Sequence, residues 1–343
     1  MISVGIVGAT GYTGAELMRL LDAHPTMRVT QATSRSDVGT SVADFWPALR
    51  GKVDLAFTAP EVKQLANCDL VFFATPNGTA MNDVPTLLDS GCKVVDLSAD
   101  FRLQNLEVWS KWYQQEHACP DLVKQAAYGL PELYREQIKN AALVANPGCY
   151  PTAIVLGLLP LLEHGLIDPK SIVADAKSGV SGAGRGVALN KLFGEVDGDF
   201  KSYAVSGHRH HPEISQSLND VSDSPVGLTF IPHLLPMFRG MQASLYVSLV
   251  KDLDNVEAVY RERYAAHPFV DVLPDGCSPQ TASVKGSNFC RISGFIDAEN
   301  GRLVVQSVID NLVKGAAGQA IQNANLMCGF DEVTGLLGAP LAP

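Results

Sequence analysis

Ile2-Ser3-Val4-Gly5-Ile6-Val7, followed at once by Gly8-Ala9-Thr10-Gly11-Tyr12-Thr13-Gly14, is the stretch that decides the fold. The first six residues read as a buried strand. Three glycines spaced G-x-x-G-x-x-G then turn the chain into a helix over residues 13–23, with Leu17, Leu20 and Leu21 on one face. Such glycines let the backbone approach a pyrophosphate, whose charge then meets N–H groups at the helix start. The spacing is one residue longer at the front than the usual dinucleotide fingerprint, and a glycine motif alone can be a tight turn with no ligand. Position decides for a ligand: a strand comes before and a helix after. Gly8, Thr10, Gly11, Tyr12, Thr13 and Gly14 are therefore candidate nucleotide contacts.

Working outward, short apolar runs at 28–33, 69–74, 92–96 and 142–145 alternate with helical patterns. That order predicts an α/β domain with a doubly wound parallel sheet. After Cys149 the texture changes. Residues 171–177, 228–232, 242–250 and 289–295 read as longer strands with fewer helices between them, an α+β domain with a mostly antiparallel sheet. The segment from Asn311 to Leu326 is helical again, and its small residues at Gly315, Ala316, Ala317 and Ala320 suit close packing back onto the first domain. A chain of 343 residues also exceeds what one core usually serves. The expected domains are 1–148 with 312–343, and 149–311.

Composition excludes several classes. A net charge of -10 argues against nucleic acid, which needs a basic face, though a few local arginines can still hold small anions. No apolar run reaches the roughly 18 residues of a membrane span. The first residues lack the basic flank and cleavage pattern of a signal peptide, so a cytoplasmic protein is expected. Seven scattered cysteines without a C-x-x-C pair suggest neither a disulfide framework nor a zinc site.

The end of the second strand bears on which nucleotide binds. An NAD site normally places an acid there, whereas this chain reads Thr33-Ser34-Arg35-Ser36. A guanidinium between two hydroxyls suits a 2′-phosphate, so NADP is favoured, although Asp37 lies close by.

Asn146-Pro147-Gly148-Cys149-Tyr150-Pro151-Thr152 points to covalent chemistry. A strand ends, Pro-Gly turns the chain, and a helix begins near Pro151, a residue favoured at the first helical position. A thiol at a helix N-terminus has its pKa lowered, and the adjacent N–H groups can hold an oxyanion. Cys149 is thus a candidate nucleophile. Ser206-Gly207-His208-Arg209-His210-His211-Pro212-Glu213 offers the proton-transfer partner. If that segment is extended, His208 and His210 share a face and His211 points away. Glu213 could orient one ring. Three imidazoles could instead bind zinc, but no accompanying carboxylate-histidine set appears, and no metal is expected. Arg102, Asn146, Arg185 and Arg239 are candidate substrate contacts. Ser178, Gly179 and Gly182 belong to a second glycine-rich loop able to approach a cofactor.

Taken together, GATGYTGAEL, LSADFR, AYGLPEL, NPGCYPT, SGVSGAGR, GHRHHPEI, PHLLPMFRG and DNLVKGAAGQA resemble the N-acetyl-gamma-glutamyl-phosphate reductase family nearly end to end. The resemblance implies NADPH-dependent reduction of N-acetyl-5-glutamyl phosphate to the 5-semialdehyde, in arginine biosynthesis, through a thioester on Cys149. It favours His210 over His208 as the acid/base, and places Asn311 and Lys314 near the nicotinamide. It also implies a homodimer or homotetramer. The nearest rival is an aspartate-semialdehyde dehydrogenase-like reductase of another acyl phosphate; that family carries its histidine late, where this chain has only Leu-Leu-Pro-Met-Phe-Arg-Gly after His233. A non-catalytic NADP sensor is the more distant alternative, and the intact Cys149 and GHRH run argue against it.

Overall fold

A computed structural model describes residues 1–341. In the first unit, β1 (Ile2–Val7) lies between β2 (Met27–Thr33) and β3 (Leu70–Phe73). β4 (Lys93–Asp96), β5 (Ala127–Tyr128) and β6 (Leu143–Ala145) complete an all-parallel sheet of order β2-β1-β3-β4-β6-β5. The order reverses at β1, so a crevice opens between the carboxyl ends of β1 and β3, where such sheets hold ligands. β3 is Leu-Val-Phe-Phe with all four residues buried, as helices on both sheet faces require. β5 has only two residues, too few to show a pattern, and was not expected from the sequence.

The terminal segment differs from the single helix expected over 311–326. Val313–Ala317 forms one wide π turn, and the α-helix runs from Gly318 to Met327. This helix packs against the helix Pro131–Lys139, with Lys93 Nζ capping the Met327 carbonyl at 2.7 Å. One compact unit comprises Met1–Pro147 with Ala316–Gly338; the other comprises Gly148–Gly315 with the tail from Ala339. The tail, expected with the first domain, is drawn to the second unit where Leu341 N–H donates to the Lys285 carbonyl at 2.7 Å.

In the second unit, β7 (Ile172–Gly179), β8 (Lys201–Ser202), β9 (Leu228–Leu235), β10 (Met241–Ser248), β11 (Val270–Val272), β12 (Cys290–Asp297) and β13 (Arg302–Ile309) form one sheet. Its order is β11-β12-β13-β10-β7-β9-β8, antiparallel except for the β7/β9 and β11/β12 pairs. One face packs on the helix Cys149–Glu163, whose apolar residues are buried all round. On the other face Val173, Tyr246, Val304 and Phe295 stand in register across four strands.

Pro160 lies inside that buried helix and cannot donate to the carbonyl of Leu156. The Tyr264 hydroxyl supplies the missing bond at 2.6 Å, and the Tyr260 hydroxyl binds the next carbonyl, Gly157, at 2.5 Å. Two tyrosines from the helix Val256–Tyr264 thus repair the break, as buried carbonyls require.

Candidate active site

The first unit holds a cleft of about 270 Å³ lined by Gly8, Thr10, Gly11, Ser34, Arg35 and Ser36, together with residues that end β3. Gly8 has φ +87°, and a Cβ there would lie 2.4 Å from the Ala74 carbonyl oxygen; one on Gly14 would lie 2.5 Å from the Gly8 oxygen. Both glycines are sterically obligatory, and the backbone forms the cleft floor. The helix Tyr12–Asp22 begins there, its N-cap Gly11 supplies no side-chain bond, and its first turn holds no acid. An anion is therefore the natural partner of this helix start. Tyr12 and Thr13 stand in that first turn.

At the cleft's edge Ser34 and Ser36 both donate their hydroxyls to Asp37, at 2.8 and 2.6 Å. Asp37 thus turns toward the serines, and the exposed Arg35 remains a cation of the cleft lining. Sequence reasoning missed Thr33, Thr75, Pro76, Thr79 and Asp83 in this lining. Thr33 ends β2, Thr75 and Pro76 follow β3, and Thr79 and Asp83 belong to the start of the helix Ala80–Asp89. Burial raises the Asp83 pKa above the ordinary carboxyl value.

In the second unit Cys149 is the first residue of the helix Cys149–Glu163, with Gly148 as N-cap. The helix starts two residues earlier than expected, so Pro151 is its third residue. Pro151 has no N–H, Thr152 N–H donates to the Gly148 carbonyl at 3.1 Å, and Gly148 N–H donates to Glu213 Oε1 at 2.8 Å. The amides of Gly148 and Thr152 are thus engaged, and Pro151 offers none. Glu213 is fully buried and grips the backbone beside the nucleophile.

His208 and His210 do not sit on an extended segment. Residues 204–210 form turns, and His210 is the N-cap of the helix His211–Asn219. Its Nε2 lies against Gly148: a Cβ added to that glycine would be 2.6 Å away. His208 sits among Tyr150, Tyr203 and Phe230, and its Nδ1 accepts from His210 N–H at 3.1 Å. Burial, reinforced by Arg209, lowers its pKa to about 4, so it is neutral at pH 7. His211 turns its Nε2 toward the Leu228 carbonyl at 3.1 Å. The Tyr150 hydroxyl, unforeseen from sequence, meets that of Tyr203 at 3.1 Å.

Several expected contacts are engaged elsewhere. Asn311 accepts from Gly240 N–H at 2.8 Å and donates to Ser181 Oγ at 2.9 Å, stapling the second glycine loop to residues 237–240. In that loop Gly179 packs on the Met237 and Phe238 carbonyls, and Gly182 packs on Ser178 Oγ. Lys314 was expected at the nicotinamide; the π turn directs it inward, fully buried, with Nζ 5.8 Å from the centre of the Phe269 ring. Arg102 is buried in the first unit, donating to the Leu97 carbonyl at 2.7 Å and offsetting the charge of Asp96. Asp96 itself is raised by burial and by the neighbouring Asp100. The Asn146 carboxamide accepts from Asn323 at 3.0 Å and donates to the Ala316 carbonyl at 3.2 Å. Arg239 pairs with Asp310 at 3.2 Å, and Arg185 is exposed on the second glycine loop. Among the described residues, no group of three or more His, Cys, Asp or Glu side chains could hold a metal ion. Among the described residues, no helix is long and apolar enough to cross a membrane.

Residues 3–141 match the family described as semialdehyde dehydrogenase, NAD binding domain, and residues 149–311 match semialdehyde dehydrogenase, dimerisation domain. The N-acetyl-gamma-glutamyl-phosphate reductase of Nitrosospira multiformis is 55% identical over 343 residues, with all of both chains covered. That of Alkalilimnicola ehrlichii is 57% identical over the same length and coverage. Among solved structures, aspartate semialdehyde dehydrogenase II from Vibrio cholerae, complexed with ASA, superposes with a TM-score of 0.72 at 16% identity. It covers 96% of this chain and 98% of that one. The Candida albicans aspartate semialdehyde dehydrogenase with NADP gives 0.71 at 16% identity, with coverage of 96% and 98%. At such identity these two structures speak for the fold alone.

Proposed function

The chain belongs to the N-acetyl-gamma-glutamyl-phosphate reductases of the semialdehyde dehydrogenase family, and on that premise we infer how its residues perform the reduction. The reaction converts N-acetyl-5-glutamyl phosphate, NADPH and a proton into N-acetylglutamate 5-semialdehyde, NADP and phosphate, a step of arginine biosynthesis. The observation that carries the chemistry is Cys149 at the first position of a helix, with His210 Nε2 against the preceding glycine.

The cofactor assignment rests on fit. Gly8 lines the cleft and Gly14 lets the helix pack on the Gly8 carbonyl, the helix start favours an anion, and Arg35 with Ser34 and Ser36 lines the edge suited to a 2′-phosphate. Bound NADPH supplies hydride. The Cys149 thiolate, stabilised by the helix N-terminus, attacks the acyl carbon; the bond from carbon to the phosphate oxygen breaks and phosphate leaves. The amides of Cys149 and Tyr150 are the groups offered to the developing oxyanion. After reduction of the thioester, the C–S bond breaks, the aldehyde departs and Cys149 regains its thiolate.

His210 moves the proton at the thiohemiacetal oxygen. The neutral His208 fixes His210 through its backbone N–H and is not itself an acid at pH 7. Arg185 and Arg239 are the second unit's cations offered to the substrate's anionic groups. The apolar band Val173, Tyr246, Val304 and Phe295 supports assembly of a homodimer through the sheet of the second unit, with pairing of dimers giving a homotetramer. A cytoplasmic location fits a biosynthetic enzyme.

Because the acyl phosphate is labile, the test runs the reaction backwards. NADP, phosphate and N-acetylglutamate 5-semialdehyde are mixed with the protein, and NADPH absorbance is followed against aspartate semialdehyde and a Cys149→Ser control. Turnover on the acetylated substrate that vanishes in the variant is the expected result. Turnover on aspartate semialdehyde alone overturns the substrate assignment.

A further inference from the structure

Gly148 has φ -69° and ψ 160°, extended backbone that any L residue adopts. Its conformation therefore gives no reason for a glycine. The reason lies in the neighbouring ring. A Cβ built there would lie 2.6 Å from His210 Nε2 and 3.0 Å from both its Cδ2 and its Cε1, and these are the three nearest atoms. The backbones of both partners are anchored, so the ring is what must yield. His210 N–H is bound to His208, and the Tyr150 ring centre lies 5.8 Å from that of His210. Glu213, three residues further along the same chain segment, holds Gly148 N–H at 2.8 Å. The two backbones are thus held close together, and the ring edge fills the space that a side chain at 148 would take.

We propose that Gly148 is a positioning residue whose missing side chain gives His210 the clearance it needs to serve Cys149. The inference rests on the reading of His210 as the proton-transfer group. A methyl at 148 pushes the ring aside while leaving the thiol and the cofactor cleft intact. It should therefore act on the chemical step and on its pH dependence, with little effect on binding.

A double-mutant cycle tests this in the reverse reaction, using the whole enzyme over a range of pH. Gly148→Ala should lower kcat about 10²-fold, the scale of a misplacement of about 1 Å, and should leave the KM values within about 3-fold. The pH limb lost in His210→Ala should be lost or displaced in Gly148→Ala as well. Added to His210→Ala, the glycine change should cost nothing further, because the ring it displaces is gone. Additive losses, or a wild-type kcat for Gly148→Ala, overturn the proposal and leave the histidine assignment standing. A wild-type rate for His210→Ala overturns both. If Gly148→Ala fails to fold, the double variant should regain the melting transition of His210→Ala; a double variant that also fails to fold refutes the clearance argument.

Discussion

Replacing Glu213 by glutamine or by alanine separates two roles a buried carboxylate beside a nucleophile can play. Its Oε1 accepts the Gly148 N–H at 2.8 Å, and no part of the residue reaches solvent. Glutamine keeps an acceptor oxygen at that place while losing the charge and turning the second oxygen into a donor, and a neutral acceptor is weaker than a charged one by about 1 kcal/mol. Alanine strands the N–H, which costs about 1–3 kcal/mol, and lets the turn carrying Cys149 shift. A displacement of about 1 Å at a reacting atom lowers a rate on the order of 10²-fold. In the reverse assay, Glu213→Gln should therefore keep kcat within about 5-fold of the parent, by the same 1 kcal/mol. Glu213→Ala should fall about 10²-fold with KM values little changed, and should melt earlier. If glutamine proves as damaging as alanine, the negative charge itself takes part in the chemistry and the backbone-clamping account is wrong.

Arg35→Ala should raise the KM for NADPH about 10–100-fold, the worth of one or two charge-assisted hydrogen bonds, and leave that for NADH unchanged. Equal losses with both cofactors would show that the arginine does not read the 2′-phosphate. His208 is neutral in the folded protein down to about pH 4, while in the unfolded chain it takes up a proton near the ordinary 6.5. The unfolded state then binds more protons between those values, so stability should fall as pH drops from about 6.5 to 4, by up to about 3 kcal/mol. His208→Asn, which can keep an acceptor for His210 N–H, should flatten that slope in urea titrations; an unchanged slope would assign the acid sensitivity to other groups.

The glycine loop was legible because strand, turn and helix announce themselves within fourteen residues, and the steric need for Gly8 and Gly14 is local. Cys149 was legible for the same reason, since Pro-Gly before it and a long apolar run after it leave little choice of geometry. Asn311, Lys314, Asn146 and Arg102 were harder to place. Their residue types suit ligands, yet tertiary partners far along the chain, such as Ser181, Phe269 and Asn323, occupy them. Nothing in local spacing reports such partners. Sequence spacing leaves His208 and His210 open for the same reason: the turns that bury His208 among aromatic rings depend on residues from β9 and the nucleophile helix. The π turn at Val313–Ala317 likewise has no sequence period of its own.

The sparse helix start at Cys149 has a consequence for product escape. A helix N-terminus with three or four unclaimed amides is a good resting place for inorganic phosphate. Here Pro151 has no N–H and those of Gly148 and Thr152 are already spoken for, so this helix start offers a dianion fewer donors than an open one would. The tetrahedral oxyanion forms when the thiolate attacks and is gone once phosphate leaves, so the turn that activates the thiol is a poor resting place for the first product it makes.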